Sequence, residues 1–367
     1  MVLVSFVPMS GDAQEVLEIS DNITCPTCVV EAGPHITLNP PMDHVWFKSF
    51  PFPNLARDGE GNYIAAPVEG DALLAVFGPD GTFRSSYGMI GEGPGEFKDG
   101  FLLLIEVGED DVLHAIGMHH LHTLAPGAER RLDQVPMPVY VSDAVVLKKG
   151  MIAVAAPVRT EAGMTTIQLL RTDGTIAASI AVAETNDERL QMAWDRSDLQ
   201  RRLGRSNDHA DVWSAPLNRY RVSRYGLDGE EKIRIERISE WFKPYLYETP
   251  GAPLRAPADP TVSGIHQDAN GLLWVTVRRA SPSFSPVIDQ PVGVEALPDP
   301  YLDFNQLLHT TFEVLDPVAG EVVARREFEE HVRLVGTAGS DVFVYSLYPD
   351  VLGNLHCVVR PLNLRRE

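Results

Sequence analysis

One short pattern recurs six times along the chain and restricts its fold more than any other feature. Each copy is a polar or glycine-containing turn followed by a strand of alternating apolar residues. The copies lie at residues 61–66, 110–115, 149–154, 210–214, 270–275 and 340–345. Strand-containing repeats of about 40 residues or more are typical of β-propeller blades. A single hairpin of this kind cannot bury both of its faces, whereas sheets arranged radially around an axis cover each other.

A second strand follows each copy, and it usually ends in an Asp-Gly type of turn, which is a strong hairpin signal. These strands lie at residues 74–81, 121–127, 168–174, 222–229, 311–320 and 355–362. The sixth unit is one strand short. The pattern therefore predicts an all-β fold, a six-bladed β-propeller of four-stranded antiparallel blades. An N-terminal strand from Val30–Leu38 or His44–Phe50 is expected to close the ring. We assign residues 1–28 to an N-terminal segment and residues 29–367 to the propeller.

Three long stretches interrupt the repeats, and long loops on a regular scaffold are where binding usually resides. They lie at residues 186–206, 238–260 and 280–309. Apolar spacing within the first stretch predicts a short amphipathic helix. The basic run Arg201–Arg205 is interpreted as an exposed face of that helix, paired with the nearby Asp195 and Asp198.

The charge balance limits the partners that the chain can have. Its 367 residues include 51 acidic and 31 basic side chains, which gives a formal net charge of −20. Such a surface repels phosphate backbones and anionic membranes, so we predict no nucleic-acid partner. No apolar run is long enough for a membrane span, which predicts no membrane insertion. The apolar start Met1–Pro8 is interpreted either as the tail of a secretory signal or as a frayed terminus.

The chain has three cysteines. Cys25 and Cys28 form a C-x-x-C pair, and Cys357 stands alone near the end. There is no second pair to complete a structural zinc site and no βαβ setting for a thioredoxin-like redox site. We therefore predict a local Cys25–Cys28 disulfide in an exported protein. Its location would be extracytoplasmic, meaning periplasmic, cell-surface or secreted.

The glycine-rich run Gly91–Phe97 separates two strands with no helix between them, which predicts a crossover from the edge of one sheet to the start of the next. Residues 77–97 follow the pattern F-x-x-D-G-x-F-x-x-x-x-G-x-x-G-x-G-P-G-E-F. This pattern resembles the NHL-type repeat of six-bladed β-propellers. More narrowly, the chain is similar to bacterial six-bladed β-propeller proteins, many of which are predicted to be exported. The likeness includes Cys25–Cys28 ahead of the first blade, Asp268–Val275 and Phe312–Asp316. It implies the fold and says little about activity.

Four histidines, His114, His119, His120 and His122, form the most chemically suggestive group. Histidine is the commonest metal ligand and exchanges protons near neutral pH. Along a strand, His120 and His122 share one face while His119 points the other way, so the group converges on one ion only if the loop bends. Some members of the NHL class are lyases that hold zinc with channel histidines, but those come from different blades. We retain His119, His120 and His122 as candidate metal ligands, with a surface loop of histidines as the alternative.

The second long stretch is rich in aromatic residues. Trp241, Phe242, Tyr245 and Tyr247 are candidate ligand-binding residues, because tryptophan and tyrosine are favoured at recognition surfaces. In the alternative interpretation they cover an open blade edge or pack under their own loop.

These observations predict an exported, non-catalytic binding or scaffold module that uses no cofactor. It would recognise a protein, peptide or glycan through loops on one face of the propeller. The sequence contains no G-x-S-x-G elbow, phosphate-binding loop or H-E-x-x-H motif, which removes the commonest hydrolase, nucleotide-binding and metalloprotease classes. The alternative, which rests on the resemblance, is a metal-dependent lyase or lactonase with Ca²⁺ or Zn²⁺ in the central channel.

Overall fold

The structure of the protein is a computed structural model. It describes residues 15–41, 45–47, 54–66, 68–70, 73–91, 93, 96–99, 102–108, 111–124, 131–161, 163–183, 199–245, 258–284, 304–337, 339–350 and 354–366.

Six small antiparallel sheets stand around an axis, which confirms the predicted six-bladed β-propeller. In blades 1 to 5 the strands follow one another outwards from the axis in chain order. Blade 1 contains Asn54–Arg57, Tyr63–Ala66, Leu74–Phe77 and Phe83–Tyr87. Blade 2 contains Leu102–Val107, Leu113–Gly117, His120–Leu124 and Arg131–Pro136. Blade 3 contains Asp143–Val146, Met151–Thr160, Gly163–Arg171 and Ile176–Val182. Blade 4 contains Arg201–Arg205, Asp211–Pro216, Arg221–Gly226 and Glu231–Arg237. Blade 5 contains Thr261–Gln267, Leu273–Ala280, Leu308–Asp316 and Glu321–Phe328.

Blade 6 combines segments from both ends of the chain. Its C-terminal strands are Arg333–Leu334, Val342–Pro349 and Leu355–Arg366. The N-terminal strands Cys28–Ala32 and Ile36–Leu38 both pair antiparallel with Leu355–Arg366. The predicted closure of the ring by an N-terminal strand is therefore confirmed, and these strands overlap the first of the two segments proposed for it.

The second proposed segment contributes less to the closure. Val45–Phe47 meets the long C-terminal strand at one residue pair, Leu355 with Phe47, and then pairs with Val68–Gly70. Four further short elements complete the secondary structure of the described residues. They are the strand Glu15–Ile19, the 3₁₀ turn Lys148–Gly150, the one-turn helix Phe304–Leu307 and the strand Gly336–Thr337.

The six copies of the sequence pattern form the second strand of each blade, where both faces meet neighbouring blades. Asp211–Pro216, for example, is buried at every position. The turns before these strands need glycine where the backbone is left-handed, as at Gly61 (φ 86°) and Gly271 (φ 82°). Trp213 and Trp274 lie at the same level and are 0% and 1% exposed. The residues of the preceding turn and the burial of both strand faces thus identify the same segments as the second strands of the blades.

The two ends of the ring differ in their connections. We define the upper face as the end at which the innermost strands begin, and the lower face as the opposite end. The lower face carries short hairpin turns, such as the one closed by the bond from the Gly271 N–H to the Asp268 carbonyl oxygen at 3.0 Å. All three long stretches of the sequence join strands at the upper face. They connect Val182 to Arg201, Arg237 to Thr261, and Ala280 to Leu308.

A cluster of polar side chains, which we call the clasp, joins blade 4, blade 5 and the N-terminal segment. It consists of Asp21, Tyr220, Arg237, Glu313 and Arg325. The carboxylate of Glu313 is fully buried and accepts hydrogen bonds from Tyr220 Oη at 2.7 Å, Arg237 Nε at 3.0 Å and Arg325 Nε at 2.8 Å. Both arginines also donate to Asp21 Oδ1. The nearby strand Glu15–Ile19 runs parallel to the outermost strand of blade 4. The N-terminal segment is therefore tied to blades 4 and 5 here, in addition to the closing strands in blade 6.

The glycine-rich run lies between the outermost strand of blade 1 and the innermost strand of blade 2, as predicted. Phe97 is 1% exposed, and its ring centroid lies 4.5 Å from that of His122. Glu96 Oε2 accepts a hydrogen bond from the Gly93 N–H at 2.7 Å. The run thus anchors the crossover to the core of blade 2.

Candidate functional site

The innermost strands of all six blades line a narrow channel on the axis of the ring. The cavity within it has a volume of about 110 Å³. Five of the six blades contribute an ionisable side chain to its wall. These side chains are Glu106, Asp143, Arg202, Arg205, His266 and Arg333.

Glycine allows the innermost strands to approach closely at the axis. A Cβ atom at Gly204 of blade 4 would lie 2.6 Å from the carbonyl oxygen of Ile265 in blade 5. A Cβ atom at Gly264 would lie 2.9 Å from Leu334 Cδ1 of blade 6. A larger residue at Gly204 would push these strands apart, whereas at Gly264 it would displace the Leu334 side chain. The charged side chains that flank the glycines are consequently held near one another.

The upper cluster consists of Asp143, Arg202 and Arg333, near the starts of three innermost strands. Asp143 Oδ2 lies 3.8 Å from Arg202 Nη1 and accepts a hydrogen bond from the Leu203 N–H at 2.9 Å. Burial raises the pKa of Asp143, although the positive charges of Arg202 and Arg333 oppose this shift. Burial also lowers the pKa of Arg202, and the like charge of Arg333 adds to that effect while Asp143 opposes it. Arg202 and Arg333 therefore repel each other, while both favour the charged form of Asp143.

The lower cluster consists of Glu106, Arg205 and His266, towards the other end of the channel. Burial raises the pKa of Glu106 to about 8, against the opposing charge of Arg205. Arg205 Nη1 donates to the carbonyl oxygen of Val107 at 3.1 Å. Burial lowers the pKa of His266, whose Nε2 lies 3.1 Å from the carbonyl oxygen of Ser340. A carbonyl oxygen only accepts, so Nε2 carries the proton of the neutral ring.

The channel is positively charged within an acidic protein. At pH 7 a carboxyl group with a pKa of about 8 is mostly protonated, so Glu106 adds little negative charge. Among the described residues that line the cavity, the remaining carboxylate is that of Asp143, beside the guanidinium groups of Arg202, Arg205 and Arg333, although the chain carries a formal charge of −20. Guanidinium groups in such a place hold anions through charge-assisted hydrogen bonds. The arrangement is suited to binding an anionic group on the axis.

The predicted histidine group lies on blade 2, and none of its members lines the channel. His120 Nδ1 is 3.2 Å from Asp99 Oδ1, and His122 Nε2 is 3.9 Å from Asp99 Oδ2. Asp99 also accepts the backbone N–H groups of His119 and His120 at 3.2 and 2.8 Å. The structure thus brings together the two histidines expected to share a strand face, while the side chain of His119 is exposed and His114 is buried. Sequence analysis did not identify Asp99, although it follows the glycine-rich run directly.

Three of the four predicted aromatic binding residues are described. Phe242 is 3% exposed, and its ring centroid lies 5.4 Å from that of Tyr220. Trp241 packs edge-on against Tyr220, with centroids 6.1 Å apart, and lies under two guanidinium groups. Tyr245 is half-buried, whereas Tyr247 lies outside the described residues. Trp241 and Phe242 therefore pack against the core of blades 4 and 5, and their role in ligand binding stays a prediction.

The structure joins Cys25 and Cys28 in a disulfide, directly before the strand that closes the ring. Cys357 lies on the C-terminal strand that receives this closing strand and is 1% exposed. Burial raises the pKa of its thiol.

The interpretation of Arg201–Arg205 as an exposed helix face is wrong. This segment is the innermost strand of blade 4 and pairs antiparallel with Asp211–Pro216. Arg201 and Arg205 are each 7% exposed. Arginine occupies positions where apolar residues mark most other strands, so hydrophobic alternation is hidden here. The repeat could have identified this strand, because an innermost strand must precede the turn that begins each copy of the pattern. Leu199 and Gln200, just before it, are not helical either, and the earlier part of the predicted helix, with Asp195 and Asp198, lies outside the described residues.

Within the described ranges, no three His, Cys, Asp or Glu side chains come together so that they could hold a metal ion. None of the helices in those ranges has the length and apolar character needed to cross a membrane.

Known proteins show the fold of this chain and not its activity. No family model and no curated protein matches it. A solved member of the DUF4221 family from Bacteroides vulgatus is similar with a TM-score of 0.57 and 8% identity, over 93% of this chain and 99% of that one. A predicted exported protein from Bacteroides fragilis is similar with a TM-score of 0.55 and 9% identity, over 95% of this chain and 99% of that one. A gluconolactonase from Xanthomonas campestris has a TM-score of 0.44 and 11% identity, over 91% of this chain and 99% of that one. This likeness carries no argument about activity.

Proposed function

We propose that the protein is an exported, non-catalytic binding module that recognises a protein, peptide or glycan on its upper face. One observation carries this proposal. The charged upper cluster and all three long connections occur at the same end of the ring. Sites on rigid scaffolds are usually built from the long loops at one end, because the regular strands hold those loops in place.

The long connections are anchored by described residues at the upper face. The Tyr245 N–H donates to the Asn218 carbonyl oxygen at 3.3 Å, and Asn218 Nδ2 donates back to the Tyr245 carbonyl oxygen at 2.6 Å. The Ser281 N–H donates to the Leu307 carbonyl oxygen at 2.8 Å, where the third connection leaves and rejoins blade 5. These bonds support a role for the upper face as the recognition surface.

The size of the channel favours recognition of a large ligand over enclosure of a small one. Pockets that bury a whole small molecule have volumes of roughly 300–1,000 Å³. The cavity here has a volume of about 110 Å³. Only a chemical group can enter it, so the body of the ligand must lie on the upper face. A binding module requires no more than this, whereas an enzyme needs room for the reacting part of its substrate.

Export is supported by the Cys25–Cys28 disulfide, because such bonds persist in oxidising compartments. Thiol trapping of the native protein in its own cells tests this part of the proposal. Modification of both cysteines without prior reduction would place the protein in a reducing compartment.

A site-directed block tests the recognition surface. Lys243→Cys places a thiol on the upper face, and Val318→Cys places one on the lower face, where Val318 is 87% exposed. The native Cys357 is buried and Cys25 is disulfide-bonded, so polyethylene glycol maleimide reacts with the new thiol. Ligands are first found on defined peptide and glycan arrays. Binding should be lost when residue 243 carries the polymer and kept when residue 318 carries it. Equal binding by both conjugates would contradict the proposal.

The metal-dependent alternative has a separate test. Protein purified with Ca²⁺ or with Zn²⁺ is analysed for bound metal, and His266→Ala, at the histidine that lines the channel, is analysed in the same way. A stoichiometric metal that the variant loses would favour the enzyme and count against a non-catalytic module.

A further inference from the structure

We infer that the upper cluster is a monoanion site, in which Arg202 and Arg333 hold a carboxylate group of the ligand inside the channel. The inference rests on the proposed function, because the same ligand would lie on the upper face. It also names the chemistry that this ligand must carry.

The contacts of Arg202 leave donors unused. Its distance of 3.8 Å to Asp143 Oδ2 is about 1 Å longer than a typical charge-assisted hydrogen bond. Asp143 Oδ2 instead accepts the Leu203 N–H at 2.9 Å. The Nε atom of Arg202 is buried and has no hydrogen-bond partner in the described part of the chain. A guanidinium group has five N–H donors in a fixed planar fork, and a carboxylate matches two of them at once.

The position of the two arginines selects for an anion between them. Arg202 comes from blade 4 and Arg333 from blade 6, and both line the same cavity. The like charge of Arg333 disfavours the charged form of Arg202, so an anion placed between them relieves repulsion as well as forming hydrogen bonds. Tyr345 lines the wall beside them and is 3% exposed.

Volume and charge together indicate a carboxylate rather than a phosphate. An apolar cavity of about 150 Å³ holds one benzene molecule. A cavity of about 110 Å³ therefore admits a carboxylate with one or two attached carbon atoms. Asp143 already lies in the cluster, and its negative charge penalises a dianion more than a monoanion. A single carboxylate, from a uronic acid or from the end of a peptide, satisfies both limits.

Small ligands test the site on the intact protein by isothermal titration calorimetry at fixed ionic strength. Propionate is the probe, and propionamide is its uncharged match in size and shape. Glucuronate and N-acetylglycine represent the two natural sources of the carboxylate, and inorganic phosphate represents the dianion. Propionate, glucuronate and N-acetylglycine should bind more tightly than propionamide and phosphate. The tighter of glucuronate and N-acetylglycine then identifies the source.

Variants that are expected to change the affinity for propionate in opposite directions separate a binding role from a structural one. Arg202→Gln and Arg333→Gln should each weaken propionate binding roughly tenfold to a hundredfold, since each removes a charged hydrogen-bond donor. Asp143→Asn should tighten it, because it removes the competing negative charge and keeps an acceptor for the Leu203 N–H. Arg171→Gln, on the exposed end of a blade 3 strand, is the control and should change nothing.

Equal binding of propionate and propionamide would overturn the inference. So would propionate binding that is unchanged in Arg202→Gln, or that weakens in Asp143→Asn as much as it does in Arg202→Gln. These results leave the proposed function standing if the upper-face conjugate still blocks array binding. Conversely, propionate binding with no effect of the polymer at residue 243 keeps the carboxylate site and contradicts the proposed function.

Discussion

The clasp and the upper cluster of the channel are both built from arginine and carboxylate groups, yet their geometry differs. In the clasp, Glu313 accepts hydrogen bonds at 2.7 to 3.0 Å from Tyr220 and Arg237. In the channel, the Arg202–Asp143 pair is separated by 3.8 Å. The clasp lies between blades 4 and 5, whereas the upper cluster lines the cavity on the axis.

The pKa directions follow this difference. Burial opposes the charge of Arg237, but hydrogen bonds and charge attraction from Glu313 prevail and raise its pKa. Burial of Arg202 is not compensated in the same way, and its pKa is lowered. Buried charges that are fully paired stabilise the fold only in the sense that breaking them is costly. Buried charges that are poorly paired beside a cavity indicate a site completed by a ligand.

The largest effect is expected from Glu313→Gln. The substitution leaves Arg237 and Arg325 facing a neutral amide, and breaking such a buried pair costs about 3–5 kcal/mol of unfolding free energy. Urea unfolding at neutral pH measures it. Glu327→Gln is the control, because Glu327 is 55% exposed and its pairing with Arg279 should contribute less than about 1 kcal/mol. Similar losses in the two variants would remove the distinction between the clasp and a surface pair.

The next effect comes from Glu106→Gln and depends on pH. The folded protein keeps the Glu106 proton up to a pH of about 8, whereas the unfolded chain releases it near 4.5 because the pKa of Glu106 is raised by burial. Between these values the folded state binds more protons, so the free energy of unfolding falls as pH rises. The variant lacks this cost, and its advantage should grow from pH 4.5 to pH 8, to about 2–4 kcal/mol.

The groups that face Glu106 define the control for this experiment. Arg205 and Asp143 act on it from blades 4 and 3, and His114 is its cross-strand neighbour. The backbone at Gly336, in the short strand that pairs with Asn54–Arg57 of blade 1, borders the carboxylate. Glu161→Gln, at an exposed turn of blade 3, is the control and should change the free energy of unfolding by less than about 0.5 kcal/mol. A constant difference between Glu106→Gln and the native protein would show that Glu106 does not hold its proton in the folded state.

A smaller effect is expected from Tyr220→Phe. The change removes one hydrogen bond to Glu313 and leaves both arginines in place, so the cost should be about 1–2 kcal/mol. The ring contact with Phe242 is kept. Tyr140→Phe at an exposed position is the matched control, with an expected change within about 0.5 kcal/mol. A loss equal to that of Glu313→Gln would mean that the hydroxyl, and not the arginines, holds the clasp together.

The smallest effect on stability is expected from Arg202→Gln. Burial and the charge of Arg333 disfavour the charged form of Arg202, so its removal should change the free energy of unfolding by less than about 1 kcal/mol. Arg237→Gln in the clasp should cost several times more. Equal costs would show that the upper cluster is as structural as the clasp, and the comparison would then fail.

Turn chemistry made the blades predictable. Gly61 and Gly271 have positive φ in the turns before two second strands, and such turns are visible in sequence because few other residues adopt that backbone. The run of apolar residues in each second strand is equally visible, since both of its faces are buried. Ring closure followed from counting strands, although the choice between the two N-terminal segments needed the observed pairing of Cys28–Ala32 with Leu355–Arg366.

The candidate site was not predictable in the same way. Arg201–Arg205 looked like an exposed basic face because arginine at the axis breaks the apolar alternation of an innermost strand. Asp99 and the clasp partner Asp21 were missed for a related reason. Their partners, such as His120 and Arg325, lie on different strands or blades, and a single sequence does not report contacts over such separations.

The sequence by itself determined six hairpin units, the turns within them and the need for a closing strand, because these features depend on neighbouring residues and on a period of two. Only the tertiary structure decided that Arg202 and Arg333 share one cavity and that Glu313 meets Arg237 and Arg325. Those meetings depend on the angle between blades and on the width of the ring. Both quantities are set by the packing of all six sheets at once, and no local stretch of sequence encodes them.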